Sequence, residues 1–127
     1  MSDVESEKVK IQVIVRTKDT DCAGTDANVF VTLKGEQGET GKMELKTSEN
    51  HLNKFERGQI DVFHHQIAEI GTVTAMRIEH DNKGLGSSWC VDYVEIHFPH
   101  RVYHFDVDRW MEKGRVDTTS IDVDYTG

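Results

Sequence analysis

Oxygen-bearing side chains are concentrated in three short stretches of this chain. The first, 18–26, carries Asp19, Asp21, Thr25 and Asp26 beside Gly24; the second, 48–53, carries Glu49, Asn50 and Asn53; the third, 81–88, carries Asp81 and Asn82 among glycines. Carboxylates, amides and glycine-exposed carbonyls are what a hard cation selects. Calcium takes about six to eight oxygens at roughly 2.3–2.6 Å in flexible geometry, whereas magnesium demands near-octahedral order and gives up its waters reluctantly. Asp and Asn also populate turns, because they bond their own backbone and tolerate unusual φ. Composition leaves both readings open. Leu52 and Leu85 stand inside the second and third stretches. Apolar residues on polar loops either enter a lipid headgroup region, while a cation bridges loop carboxylates and phosphate, or anchor the loop on the core.

Other chemistries find less support. Seven histidines include His97, His100 and His104 and the pair His64-His65. The pair must point to opposite faces of a strand, and no cysteine or helical HExxH pattern accompanies either group, which disfavours zinc. Ser87 and Ser88 lack the second glycine of a GxSxG elbow, so no nucleophile site is predicted and the chain reads as non-catalytic. Glu56 beside Arg57 reads as a local ion pair or turn anchor. Trp89 and Trp110 read as packing residues rather than lipid probes.

The elements that must position the three stretches are strands. Val9, Ile11, Val13 and Val15 sit two apart, the period of a half-buried strand. The pattern returns at Ala27–Leu33, Met43/Leu45, Ile60/Val62, Met76/Ile78 and Val102–Phe105, and at Val116, Ile121 and Val123. A longer run from Trp89 to Phe98 reads as a central strand, with Cys90, Val94, Ile96 and Phe98 on one face and Trp89, Val91 and Tyr93 on the other. Turn signals intervene at Lys34-Gly35-Glu36-Gln37-Gly38, Arg57-Gly58 and Asn82–Gly86. Eight short strands without helical periodicity predict an all-β, eight-stranded antiparallel β-sandwich. Residues 1–8 are expected to form a disordered tail, and 9–124 a single domain. If each strand crosses the sandwich and the next returns, alternate connections gather at one end, and all three polar stretches fall in that set.

Charge and size bound the rest. The 127 residues carry 23 acidic against 15 basic groups, a formal net charge of −8, which argues against a nucleic-acid binder needing a basic stripe. So acidic a surface is repelled by anionic lipid unless a bound cation neutralises it. Cys22 and Cys90 are too few and wrongly spaced for a disulfide scaffold, which fits a reducing, intracellular (cytoplasmic) setting. No stretch reaches the roughly 20 apolar residues of a transmembrane segment, so any membrane contact is expected to be peripheral.

Several blocks of this chain resemble the PLAT domain, also called the lipoxygenase-homology or LH2 domain. They are Ala23–Phe30, Asn53–Gly58, His80–Asn82 with Gly84–Gly86, Trp89, Val91–Ile96, Tyr103–Phe105 and Asp108–Trp110. The resemblance runs in order from Val9 to Trp110 and is closest in flavour to the units of lipoxygenase-homology repeat proteins. It implies an eight-stranded sandwich whose loops at one end bind calcium and dock on membrane lipid. The ligands it implies are Gly24, Thr25 and Asp26 in the first loop, Glu49, Asn50 and Asn53 in the second, and Asp81 in the third. Cys22, Lys54 and Ser87 replace carboxylates of a toxin-like member, with Asp21 positioned to substitute beside Cys22. Two functions follow as expectations: a calcium-dependent lipid-binding module inserting Leu52 and Leu85, or a protein–protein interaction scaffold of the same type.

Overall fold

Alternation of β-branched and polar residues builds nine strands in the computed structural model, which describes residues 8–83, 88–112 and 119–127. They are β1 (Val9–Thr17), β2 (Val29–Gly35), β3 (Gly38–Glu39), β4 (Met43–Glu44), β5 (Ile60–Ile67), β6 (Val73–His80), β7 (Trp89–Phe98), β8 (Arg101–Met111) and β9 (Ser120–Asp124). One sheet has the order β5-β1-β7-β8; the other has β3-β2-β6-β9, with β4 also paired to β2. The described pairs are antiparallel. The fold is the expected all-β sandwich. The added strand is the two-residue β3, which closes a tight hairpin on β2 where the sequence signals only a turn.

Burial follows the two-residue period. Ile11, Val13 and Val15 of β1, with Val94 and Ile96 of the neighbouring β7, share one core with Val29, Val31 and Leu33 of β2 and Met76 and Ile78 of β6 in the other sheet. A slip of one residue in any pair would turn its apolar set to water, and this fixes the register.

The run Trp89–Phe98 departs from the expected alternation. Arg16 pairs with Tyr93 but Thr17 with Val91, so Asp92 is an extra residue against β1. This bulge advances the phase by one. Trp89 and Val91 therefore share the core face with Val94 and Ile96, while Tyr93 stays on the outer face. Arg16 meets Asp92 at 3.1 Å across the bulge. β8 extends well beyond Phe105, so Asp108-Arg109-Trp110 lies in the strand, with a second register shift opposite Asp92 and Asp108 at φ 45°. The expected contribution of Val116 to the last strand lies outside the described residues.

Candidate functional site

β1 ends where β5 and β7 begin, with Arg16 opposite Ile60 and Thr17 opposite Val91. β2 begins where β6 ends, with Val29 opposite His80. The connections β1–β2, β4–β5 and β6–β7 consequently share one end of the sandwich. Backbone hydrogen bonds stitch them together. Lys18 N donates to Cys90 O (3.0 Å), Cys90 N to Ala23 O (3.0 Å), Thr25 N to Phe55 O (3.1 Å) and Asp81 N to Asn28 O (3.1 Å). Gly24 permits the closest approach: a Cβ there would lie 2.8 Å from Phe55 O and 3.2 Å from Glu56 Cα. Its role is to let the first two loops touch.

Between those loops lies a shallow cavity of about 170 Å³, lined by Thr25, Asp26, Asn28, Asn53 and Glu56 with Leu52 at its side. A water takes about 30 Å³ of liquid, so the cavity accommodates one ion with several waters. Of the expected ligands, Thr25, Asp26 and Asn53 are brought together here. Asp26 is exposed at the mouth, and Thr25 is buried with its Oγ1 accepting from Ala27 N (3.1 Å). Glu56 lines the same cavity and was missed, because its neighbour Arg57 suggested a local pair. Arg57 instead reaches across to Asp19 and Asp21.

The remaining expected ligands are engaged elsewhere. Asp81 accepts from Asn28 N (3.0 Å), Asn28 Nδ2 (2.8 Å) and Lys83 N (3.1 Å). Its slight burial works to raise its pKa, but these donors outweigh it and hold the carboxyl below the usual carboxylate range. Asp81 thus fastens Asn28 at the cavity wall. Asn50 accepts from Val62 N and donates to Ile60 O (2.9 Å), which clamps the second loop on β5. Glu49 pairs with His64 on the outer face of β5. Asp21 takes Arg57 Nη1 at 2.7 Å. Leu52 is 103% exposed beside the cavity. Leu85 lies outside the described residues.

What shapes the second loop is Asp61, fully buried and unremarked in the sequence because a lone Asp on a strand carries no motif. Its carboxylate accepts from Phe55 N (2.8 Å), Ser48 Oγ (2.9 Å) and Gln59 Nε2 (3.1 Å), and His51 Nδ1 lies 3.3 Å away. Phe55 is held at φ 60°, a costly conformation for a bulky residue that persists because its surroundings over-determine it. Its ring packs 5.1 Å from Trp89 and 5.5 Å from Phe63.

Of the histidines disfavoured as zinc ligands, His64, His97 and His104 serve carboxylates on the outer face of the first sheet. His104 Nδ1 donates to Glu95 Oε2 (2.8 Å) and Nε2 to Asp106 Oδ1 (2.9 Å), while His97 Nε2 bonds Glu95 Oε1 (2.9 Å). Two carboxylate partners require two N–H donors, so Glu95 first and Asp106 second raise the His104 pKa above 6.5. His97, then His104, lowers that of Glu95 below 4.5. The His104 contribution to stability is complete below about pH 6.5 and lost as pH rises through the folded value; that of Glu95 is present above about pH 4.5 and lost on acidification. Urea midpoints should therefore fall modestly between about pH 6 and pH 9, and His104→Gln should flatten that slope. An unchanged slope would show that the imidazolium pairs contribute nothing.

A two-sheet antiparallel sandwich with its oxygen-rich loops gathered at one end defines a class of all-β modules. The chain belongs to the PLAT/LH2 domain family, whose model matches residues 9–123. It is 44% identical over 111 residues to the lipoxygenase homology domain-containing protein 1 of Mus musculus and 41% identical over 105 residues to that of Homo sapiens, covering 86% and 80% of this chain. The chain spans 5% of the length of each of those relatives. Among solved structures, coral 8R-lipoxygenase, described as showing calcium activation via a C2-like domain, superposes with a TM-score of 0.79 at 27% identity. That match covers 91% of this chain and 17% of the other.

The polar wall of the cavity offers a hard cation such as calcium oxygens of Asp26, Glu56, Thr25, Asn28 and Asn53 and no thiol or imidazole, with the cationic Lys54 also in the lining, its Nζ donating to Lys46 O (2.7 Å). Among the described residues no group of three or more His, Cys, Asp or Glu converges. With two carboxylates at the cavity, amide, hydroxyl and water oxygens would have to complete the coordination.

Proposed function

We propose that the loop end binds calcium between the first two loops and thereby docks the domain peripherally on a lipid surface. The observation that carries this reading is Leu52, wholly exposed beside an oxygen-lined cavity. Transferring one leucine side chain out of water is worth about 1.5–3 kcal/mol, too little to hold a strongly acidic domain on anionic lipid. A divalent ion at Asp26 and Glu56 offsets that repulsion where Leu52 enters. Thr25, Asn53 and backbone oxygens around Gly24 complete the candidate set, with Asp81 acting through Asn28. Glu49 and Asn50 hold the loop to β5. The coral lipoxygenase whose C2-like domain is linked to calcium activation is in keeping with this reading.

Sedimentation with phosphatidylserine-containing and neutral liposomes tests it. Calcium should drive pelleting and raise the melting temperature, because an ion that binds the folded chain alone must stabilise it. Asp26→Ala should remove most of both effects, whereas Leu52→Ser should remove pelleting and keep the melting shift. Calcium-independent behaviour of the unaltered chain would overturn the reading.

A second reading, a protein–protein interaction module, rests on the outer face of the first sheet. There Ile60 and Val102 are 39% and 49% exposed at opposite corners of the face, with half-buried Ile14 and Tyr93 in the strands between. Asp26→Ala would leave such binding intact. Neither reading requires catalysis. Among the described residues no helix is long and apolar enough to cross a membrane, and the proposed setting is intracellular and peripheral.

A further inference from the structure

We propose that this chain associates head to tail with a second copy of itself, the Leu52 loop of one copy seating in a cavity at the opposite end of the next. The proposal shares Leu52 with the calcium reading and does not otherwise rest on it. The cavity lies where β1 begins and β7 turns into β8, the end away from the three polar loops. It encloses about 450 Å³, and Val9, Phe98, Pro99 and Tyr103 make its apolar wall, with the two aromatic rings meeting edge-on at 5.7 Å. At about 30 Å³ per water this is the space of roughly fifteen waters, enough for a leucine side chain and the loop that carries it.

Charge at the two ends is complementary. Arg101 lines the cavity, and its Nη1 donates to both Tyr103 Oη (2.8 Å) and Thr72 Oγ1 (3.3 Å). Those bonds steady the guanidinium and leave Nε and Nη2 for a further acceptor. A hollow that shares Phe98 and Pro99 with the cavity is lined by Lys10, which pairs with no carboxylate among the described residues. Glu69, the carboxylate of the cavity lining, is turned onto Gly71 N at 2.9 Å. At the other end, Leu52 stands wholly exposed beside the exposed carboxylates of Asp26 and Glu56. Two copies of a chain with net charge −8 repel one another unless opposite charges are juxtaposed. Seating the Leu52 loop in the cavity sets Asp26 and Glu56 towards Arg101 and Lys10 and takes an exposed leucine out of water. Knob and hole lie on different surfaces, so the contact is heterologous and each added copy presents a fresh pair, giving open chains rather than a closed dimer. One leucine and a few exposed charges make a small contact, so the association is weak and sensitive to salt.

Sedimentation velocity of the whole chain, in chelator and without lipid, tests the contact over about 20 μM to 1 mM protein. The unaltered chain should show a weight-average sedimentation coefficient that climbs steadily with concentration, and most of the climb should disappear between roughly 0.05 and 0.5 M salt. Leu52→Ser and Arg101→Glu should each stay monomeric. Their equimolar mixture should form a one-to-one pair and nothing larger, because the intact cavity of the first takes the intact loop of the second. Thr72→Tyr, which blocks the cavity mouth and keeps Arg101, should behave as Arg101→Glu does, and melting curves check that each variant is folded. A monomeric unaltered chain would overturn the proposal, and so would a mixture that stays monomeric. Association that survives both Arg101→Glu and Thr72→Tyr would overturn it as well, in favour of a symmetrical contact between two Leu52 loops. None of these failures touches the calcium reading, under which Arg101→Glu should still pellet with liposomes; loss of calcium-driven pelleting in the unaltered chain would sink that reading alone.

Discussion

Asp61→Ala is expected to lower the free energy of unfolding by about 3–5 kcal/mol, the range for stripping one partner from a buried charged network. Asp61 has no exposed surface, and three donors, Phe55 N, Ser48 Oγ and Gln59 Nε2, converge on it from the loop between β4 and β5. Alanine leaves the Phe55 N–H without its acceptor and removes one of the restraints that hold Phe55 at φ 60°. For a chain of this size the loss corresponds to roughly 10–20 °C in melting temperature. Asp61→Asn should recover little, because its amide N–H₂ must face at least one existing donor. Urea denaturation with an unchanged m-value reads the effect, and a loss below about 1 kcal/mol would show that the loop holds its shape without this anchor.

Trp89→Ala should cost a comparable 3–5 kcal/mol, about what emptying a fully buried tryptophan site costs elsewhere. The indole is 0% exposed beneath the loops, 5.1 Å from the Phe55 ring, and its Nε1 donates to Thr17 Oγ1 at 2.9 Å. It thus props up from the core the same residue that Asp61 fixes by its backbone. Trp89→Phe separates the two contributions. It restores most of the packing but strands a hydroxyl that is itself 0% exposed, so a residual loss of about 1–2 kcal/mol is expected. Equal losses for Ala and Phe would mean that the hydrogen bond outweighs the packing. Both single substitutions should also weaken the proposed calcium binding, since Phe55 O receives Thr25 N and so joins the two cavity loops. The double variant Asp61→Ala/Trp89→Ala should lose less than the sum, because both act through Phe55.

Much of the sandwich was legible because strand alternation is a local property. Val9 to Val15, Ala27 to Leu33 and Met76 to Ile78 each declare a buried face within a few residues, and the structure keeps those faces. The hairpin strand β3 was too short to give a period. The Trp89–Phe98 run was assigned the wrong phase at its start because a bulge depends on what β1 and β8 present opposite Asp92, not on β7 itself. Similarly, Thr25, Asp26 and Asn53 were found as a loop set, while Glu56 was hidden by a neighbouring Arg57 whose partners lie 36 and 38 residues away.

The sequence by itself determined that oxygen-rich loops would punctuate an all-β chain and, through alternate connections, that they would gather at one end. Tertiary structure alone decided which oxygens face the cavity, since that depends on long-range pairings no local pattern records. Asp81 turns to Asn28, Glu49 to His64, and Asp19 and Asp21 to Arg57, while Asp26 is left open at the mouth. The physical reason is that burial has a period and hydrogen-bond partnership does not: a carboxylate goes to whichever donor the fold brings within about 3 Å.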